Sequence, residues 1–147
     1  MNQPAEARRG QGARALARKL ALQSLYRWQI NPCPWQDLIQ EFDLAEEAPR
    51  TDKHHFSRLV RAIAEQREAL DAELAQWLDR RPEELDPIEH AALWIGLQEL
   101  RGHPEIPFRV VITEAVGLAR RFGGPDGHKF VNAVMDKAAR ALRPHEH

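Results

Sequence analysis

The sequence has few of the features that mark membrane, secreted or zinc-stabilised proteins. It contains one cysteine, Cys33, among 147 residues, which excludes an internal disulfide and a cysteine-based structural zinc site. No apolar run approaches the ~18 residues that a membrane span needs. The first residues, 1–6, lack the apolar stretch of a signal peptide. We therefore expect a cytoplasmic protein without a membrane-spanning segment.

The alternation of apolar and polar residues that is typical of half-buried strands is almost absent. Apolar residues instead recur at intervals of three and four, in stretches rich in Ala, Leu, Glu, Arg and Gln. The 43% hydrophobic and 29% charged fractions are those of a globular domain. The sequence therefore predicts an all-α fold with about seven helices.

Proline, glycine and aspartate mark the predicted helix ends. Asp52 and Asp86 are suited to cap helices, and Glu89 would complete a capping box with Asp86. The thin apolar pattern around residues 80–84 predicts a boundary between two subdomains, about 1–80 and 83–147, of a single domain. Helices are predicted from about 11 to 30, 34 to 42, 52 to 78 with a break near 65–69, 86 to 100, 107 to 122 and 126 to 142.

Catalytic and metal-binding motifs are missing. The sequence has no phosphate-binding glycine loop, no dinucleotide-binding glycine motif and no His-Glu-x-x-His pair. His54 and His55 are adjacent, so they cannot face one helical site together, and Cys33 has no nearby base. We therefore expect a protein that is not an enzyme and that has no metal and no cofactor.

The net charge of −1 hides an uneven distribution. Residues 1–30 carry a balance of +5, residues 31–100 a balance of −9, and residues 101–147 a balance of +3. A nearly neutral chain of this kind can present one surface that attracts polyanions and another that repels them. Chance segregation of charge in a helical protein is the alternative.

The first helix carries the most informative surface. At 100° per residue, most of its apolar residues fall on one arc and its basic residues on the opposite one, although Leu16 and Leu22 fall among the latter. Cations neutralise phosphates, amides bond base edges, and a phenol ring can stack on an unpaired base. This arc indicates either a nucleic-acid-binding face or an ordinary solvated face. Its polar members are Arg8, Gln11, Arg18, Lys19, Gln23, Tyr26 and Arg27, with Arg14 at the margin.

The start of the last helix is the second informative stretch. A helix N-terminus favours phosphate, and Lys129 adds positive charge there. Asp126 would repel phosphate, so its expected role is that of the N-cap. Phe130 is expected to belong to the core on spacing alone, and an exposed, RNA-stacking position is the alternative.

Several segments, in order along the chain, resemble the family of the bacterial transcription antitermination factor NusB. Residues 22–29 (LQSLYRWQ) resemble its first-helix signature. Residues 111–116 and 122–137, with HKFVN at 128–132, resemble its C-terminal signature, and residues 85–89 and 93–100 fit its central helix. The resemblance extends from about Arg14 to Arg143.

The resemblance implies an all-helical fold of two small bundles packed across each other. It also implies binding of boxA RNA in nascent ribosomal RNA transcripts, without catalysis. The expected partners are NusE, a ribosomal small-subunit protein, and then the RNA polymerase elongation complex with other Nus factors. The RNA-binding residues that it implies are Arg14, Arg18 and Tyr26, a less certain Arg8 and Arg9, and Asp126, Lys129 and Phe130, with Glu89 near the RNA and NusE surfaces.

The sequence departs from the family pattern at two places that affect the expected affinity for RNA. Ala13, Ala15, Leu16 and Ala17 dilute the arginine cluster, and Trp94 stands where some members have a basic residue. We therefore expect weak RNA binding by the isolated protein and stronger binding with NusE. Two alternatives remain. One is a NusB-like domain cut from a ribosomal RNA cytosine methyltransferase, and the other is a homodimer that hides the RNA face.

Overall fold

The computed structural model describes residues 5–146, and the side chains of residues 9–146. This part of the chain contains seven α-helices, three single 3₁₀ turns and no strand, which confirms the all-α prediction. The helices are α1 (Ala5–Ile30), α2 (Trp35–Phe42), α3 (Lys53–Glu65), α4 (Arg67–Ala75), α5 (Pro87–Gly102), α6 (Phe108–Phe122) and α7 (Gly127–Leu142).

The predicted capping residues begin α3 and α5. The Asp52 carboxylate accepts a hydrogen bond from the His55 backbone N–H at 2.9 Å. The Asp86 carboxylate accepts from the N–H groups of Ile88 and Glu89 at 2.9 and 3.2 Å. The predicted break in the long helix after residue 52 is confirmed, because the backbone leaves the helical conformation at Gln66.

The contacts of the chain separate it into two units, and the division falls between Ala64 and Glu65. The sequence placed the boundary near residues 80–84 instead. The difference arises because α4 packs on α5: the Asp71 carboxylate lies 2.7 Å from His90 Nε2 and accepts from Trp94 Nε1 at 2.8 Å. These buried partners hold α4 in the second unit.

The first unit contains α1, α2 and nearly all of α3. Phe42 of α2 and Phe56 of α3 are buried with ring centroids 4.4 Å apart. The Asp52 N–H donates to the Ala13 carbonyl at 3.1 Å, which fixes the start of α3 against α1. These contacts position the polar residues of α1 relative to the α2–α3 connection.

In the second unit, α5 is the central helix, and α6 and α7 pack on it and on each other. Nearly every residue from 90 to 100 is buried. At the end of the unit, the buried Arg143 donates to the carbonyls of Leu100, Ile106 and His103 at 2.9 to 3.0 Å. This guanidinium therefore satisfies carbonyls at and beyond the C-terminus of α5 that have no helical partner.

Candidate nucleic-acid interface

The exposed polar side chains of α1 form the first part of the candidate interface. Arg9 and Gln23 are exposed, the side chain of Arg14 is 40% exposed, and Tyr26 is 41% exposed. These four residues are called the α1 surface below. An amide, a phenol ring and guanidinium groups on one helix supply the hydrogen-bonding, stacking and ionic contacts that single-stranded RNA uses.

Acidic residues of the same unit compensate several cations of α1. Lys19 Nζ lies 2.7 Å from Glu47 Oε2, and Arg27 Nη2 lies 2.8 Å from Glu41 Oε1. The hydrogen bond from Lys19 is the main reason that the pKa of Glu47 is lowered. Arg14 is held less tightly than these two residues, with its Nε 3.7 Å from Asp52 Oδ2. The uncompensated positive charge of helix α1 is therefore smaller than the sequence count suggests.

Two residues of the predicted polar arc lie in the interior. Arg18 is 3% exposed and Leu22 is fully buried, although the 100° spacing placed both on the solvent side. The prediction is wrong at these positions because the buried residues of α1 occupy more than one arc of the helix. Arg8 lies outside the residues whose side chains the structure describes.

The second part of the candidate interface is a groove of about 410 Å³ at the start of α7. Phe130 is half-buried on its wall, and the Arg80 guanidinium carbon lies 4.6 Å from the centre of the Phe130 ring. Glu89 of α5 and the loop 124–127 line the remaining walls. This site, called the α7 groove below, brings together three predicted residues, Glu89, Asp126 and Phe130.

Three expectations at the α7 groove are corrected. The Asp126 carboxylate makes no capping hydrogen bond, because it points to solvent and lies 3.5 Å from the Lys129 ammonium. Phe130 is half-buried rather than part of the core, since its ring faces the groove. Glu89 forms no capping-box bond to the Asp86 amide in the described part of the chain, because its carboxylate is turned towards Gly127.

The environment of Glu89 is unusual for a carboxylate. Burial and, secondly, the charge of Asp86 raise the pKa of Glu89, while Arg80 acts in the opposite direction. A β-carbon on Gly127 would lie 3.1 Å from Glu89 Oε2, so a glycine at this position lets the carboxylate approach the helix. The α7 groove thus contains a partly desolvated hydrogen-bond acceptor, the Glu89 carboxylate.

No sequence motif indicates Arg80, and the sequence does not define a role for Trp94. Arg80 and Phe130 are too distant in sequence for a periodic pattern to connect them. Trp94 is fully buried between Asp71, which accepts its indole N–H, and the His90 ring at 4.0 Å. Because the Trp94 side chain lies in the interior, it cannot contribute to the surface as an exposed basic side chain would.

A model of the NusB family matches residues 15–140. The chain belongs to the NusB family. The match includes Gln23 and Tyr26 of the α1 surface and the whole α7 groove.

Named relatives cover nearly the same span. The transcription antitermination protein NusB of Pseudoalteromonas atlantica is 41% identical over 134 residues, which are 91% of this chain and 96% of that protein. The protein of the same name from Nitrosospira multiformis is 46% identical over 129 residues, 88% of this chain and 82% of that protein. The similarity to these two antitermination proteins therefore extends over most of their length.

Two solved structures share the fold of this NusB family member. The T. maritima NusB structure matches with a TM-score of 0.79 and 25% identity, over 99% of this chain and 97% of that one. A crystal structure of the antitermination factors NusB and NusE in complex with dsRNA matches with a TM-score of 0.67 and 23% identity. That match covers 94% of this chain and 99% of the solved chain.

The described residues contain neither a metal-binding cluster nor a membrane-spanning helix. No group of three or more His, Cys, Asp or Glu side chains there could hold a metal ion. None of the helices in that part of the chain combines the length and apolar character needed to cross a membrane. The relatives are named for a role in transcription rather than for a catalysed reaction.

Proposed function

We propose that this chain is a transcription antitermination factor that binds boxA RNA of nascent ribosomal RNA transcripts together with NusE. The observation that carries the proposal is the family match over residues 15–140, together with relatives named transcription antitermination protein. A solved complex of similar fold pairs a NusB protein with NusE and dsRNA. The chain then acts as an adaptor in the bacterial cytoplasm, without catalysis, and joins other Nus factors on the RNA polymerase elongation complex.

The α1 surface supplies one set of RNA contacts in this proposal. Arg9 and Arg14 meet phosphates, Gln23 bonds a base edge, and Tyr26 offers a ring for stacking. Lys19 contributes less because it is held by Glu47 at 2.7 Å. Arg18 supports the helix from within, since its side chain is buried.

The α7 groove supplies a second set of contacts. Phe130 provides an aromatic ring, and the 73%-exposed Lys129 side chain reaches a phosphate near the helix N-terminus. Asp126 is equally accessible but weakens phosphate binding through its charge. The balance of these groups favours a single-stranded RNA whose bases are available, as boxA is in a nascent transcript.

A transcription assay with purified components tests the proposal. RNA polymerase, NusE and the other Nus factors transcribe a template in which boxA, or a scrambled boxA, precedes a terminator. We expect this chain to raise read-through only with boxA and NusE. The double variant Tyr26→Ala/Phe130→Ala should lose most of the gain, whereas Tyr26→Phe should keep it because the ring remains.

Circular dichroism of the variants establishes that they fold. Read-through that is unchanged by this chain on the boxA template, or raised equally on the scrambled one, contradicts the proposal.

A further inference from the structure

The Arg80 side chain covers the aromatic ring that lines the α7 groove. Its guanidinium covers the Phe130 ring at 4.6 Å, and its Nε donates to Asp79 Oδ1 at 2.9 Å. Arg80 is exposed while Phe130 is half-buried. On this face of the ring, the guanidinium is therefore the layer that an incoming group meets first.

We propose that an unpaired RNA base stacks on the Arg80 guanidinium and that Phe130 beneath it is a positioning residue. The inference rests on the proposed RNA-binding function and refines it, because Arg80 makes the stacking contact and the Phe130 ring positions Arg80. Guanidinium planes accept stacked bases as aromatic rings do. The hydrogen bond to Asp79 and the ring below restrict the side chain, so less conformational freedom is lost when a base binds.

The charges around Arg80 favour a base over a phosphate. Asp79 already pairs with the guanidinium, and this contact lowers the pKa of Asp79. Two further carboxylates, Glu89 and Asp126, line the same groove. A phosphate would meet these negative charges, whereas a base amino group would find acceptors.

The same carboxylates indicate which bases fit. Adenine, cytosine and guanine carry amino groups that donate to carboxylate oxygens, and uracil does not. The groove volume of about 410 Å³ is within the ~300–1,000 Å³ range of small-ligand pockets. The geometry therefore points to a base with an exocyclic amino group, stacked on Arg80 with its edge towards Glu89.

The test measures stacking and affinity together. The probe is a set of boxA RNAs in which single positions carry 2-aminopurine, whose fluorescence responds to stacking. Each RNA is titrated into wild-type protein and the variants Arg80→Lys, Arg80→Ala and Arg81→Lys, with and without NusE and at several salt concentrations. Arg81 is a matched control because it is exposed, adjacent in sequence and paired with Glu84 at 3.2 Å.

We expect one RNA position to report stacking in the wild-type and Arg81→Lys proteins. Arg80→Lys keeps the charge but lacks the planar group, so it should lose that signal and at least about fivefold in affinity. The salt dependence should stay the same, because Asp79 already neutralises Arg80. Replacement of the reporting position by uridine should also weaken binding.

Two results would overturn the inference while leaving the proposed function intact. In the first, Arg80→Lys binds and reports stacking as the wild-type protein does. In the second, Arg80→Ala flattens the salt dependence by about one ion and Arg80→Lys restores it, which identifies a phosphate contact. A wild-type protein that binds no boxA RNA, even with NusE, would overturn both the function and the inference.

Discussion

Arg14 and Arg18 show what spacing alone can and cannot predict about single side chains. The two arginines are one helical turn apart on α1, and the family resemblance assigns both to RNA. Arg14 is 40% exposed, whereas Arg18 is buried. The 100° spacing gives the direction of a side chain from the helix axis. It does not reveal how much of the helix circumference is covered by the neighbouring parts of the protein.

Two carboxylates of the second unit have pKa values that are shifted in opposite directions. A hydrogen bond from the Phe108 N–H, and then the Arg143 guanidinium, lower the pKa of Glu146. Burial raises the pKa of Glu89. Glu146 therefore stabilises the fold when ionised, whereas ionised Glu89 destabilises it.

The opposite shifts predict opposite effects of a charge-neutral substitution. Stability from Glu146 is present above its unfolded pKa and is lost as pH falls through the lower folded pKa, so Glu146→Gln should lower the melting temperature at neutral pH. Stability is lost at Glu89 as pH rises from about 4.5 through its raised folded pKa, so Glu89→Gln should raise the melting temperature at neutral pH.

Thermal melts between about pH 4 and pH 7 check both effects. Each difference from the wild-type protein should shrink towards the acid end. Melting-temperature changes of the same sign for the two variants would contradict the opposite pKa shifts of Glu146 and Glu89.

The helices are the elements that the sequence predicts best. Asp52 and Asp86 begin α3 and α5 as expected, because capping depends on residues close in sequence. The cap expected at Asp126 is absent, since the side chain faces solvent beside Lys129. The α7 groove could be predicted only in part, because the contact of Arg80 with Phe130 depends on tertiary packing.

The packing of α5 on α7 predicts an effect at Gly96. A β-carbon there would lie 2.5 Å from Met135 Cε and 2.7 Å from its Sδ, so Gly96→Ala forces the fully buried Met135 side chain to move within the core. We expect a loss of about 1–3 kcal/mol in the free energy of unfolding. Gly117→Ala on α6 is the matched control: its β-carbon meets nothing within 4 Å, and alanine should add about 0.5–1 kcal/mol.

Urea denaturation of the two variants measures these differences. Equal stabilities for Gly96→Ala and Gly117→Ala would show that α5 and α7 do not approach as closely as described. Partial recovery in the double variant Gly96→Ala/Met135→Val would support the close contact.

The ion pairs of α1 predict that its cations contribute unequally to RNA binding. Arg14 is loosely held by Asp52 at 3.7 Å, whereas Lys19 is held by Glu47 at 2.7 Å and its side chain is 17% exposed. Arg14→Gln should therefore weaken binding to all RNAs and reduce the salt dependence by about one ion. Lys19→Gln, which removes the same charge, should change both quantities much less.

Fluorescence anisotropy with boxA and scrambled RNAs at several salt concentrations compares the two variants. A larger loss for Lys19→Gln than for Arg14→Gln would mean that the described ion pairs do not limit the cations of α1.

For the protein as a whole, the charge distribution suits an adaptor better than a strong independent RNA binder. The first 30 residues carry a balance of +5 and residues 31–100 a balance of −9, so the acidic part of the chain supplies the partners that compensate α1. Family membership and the all-α fold could be predicted from the sequence. The extent of this compensation could not, because it depends on which side chains meet in the folded protein.

The most direct test of the adaptor role is the binding of a labelled boxA RNA and a scrambled control, followed by anisotropy with and without NusE at several salt concentrations. We predict weak binding by this chain alone and selective, stronger binding of boxA when NusE is present. Equal and strongly salt-dependent binding of both RNAs, unchanged by NusE, would contradict this role and leave only a nonspecific basic helix.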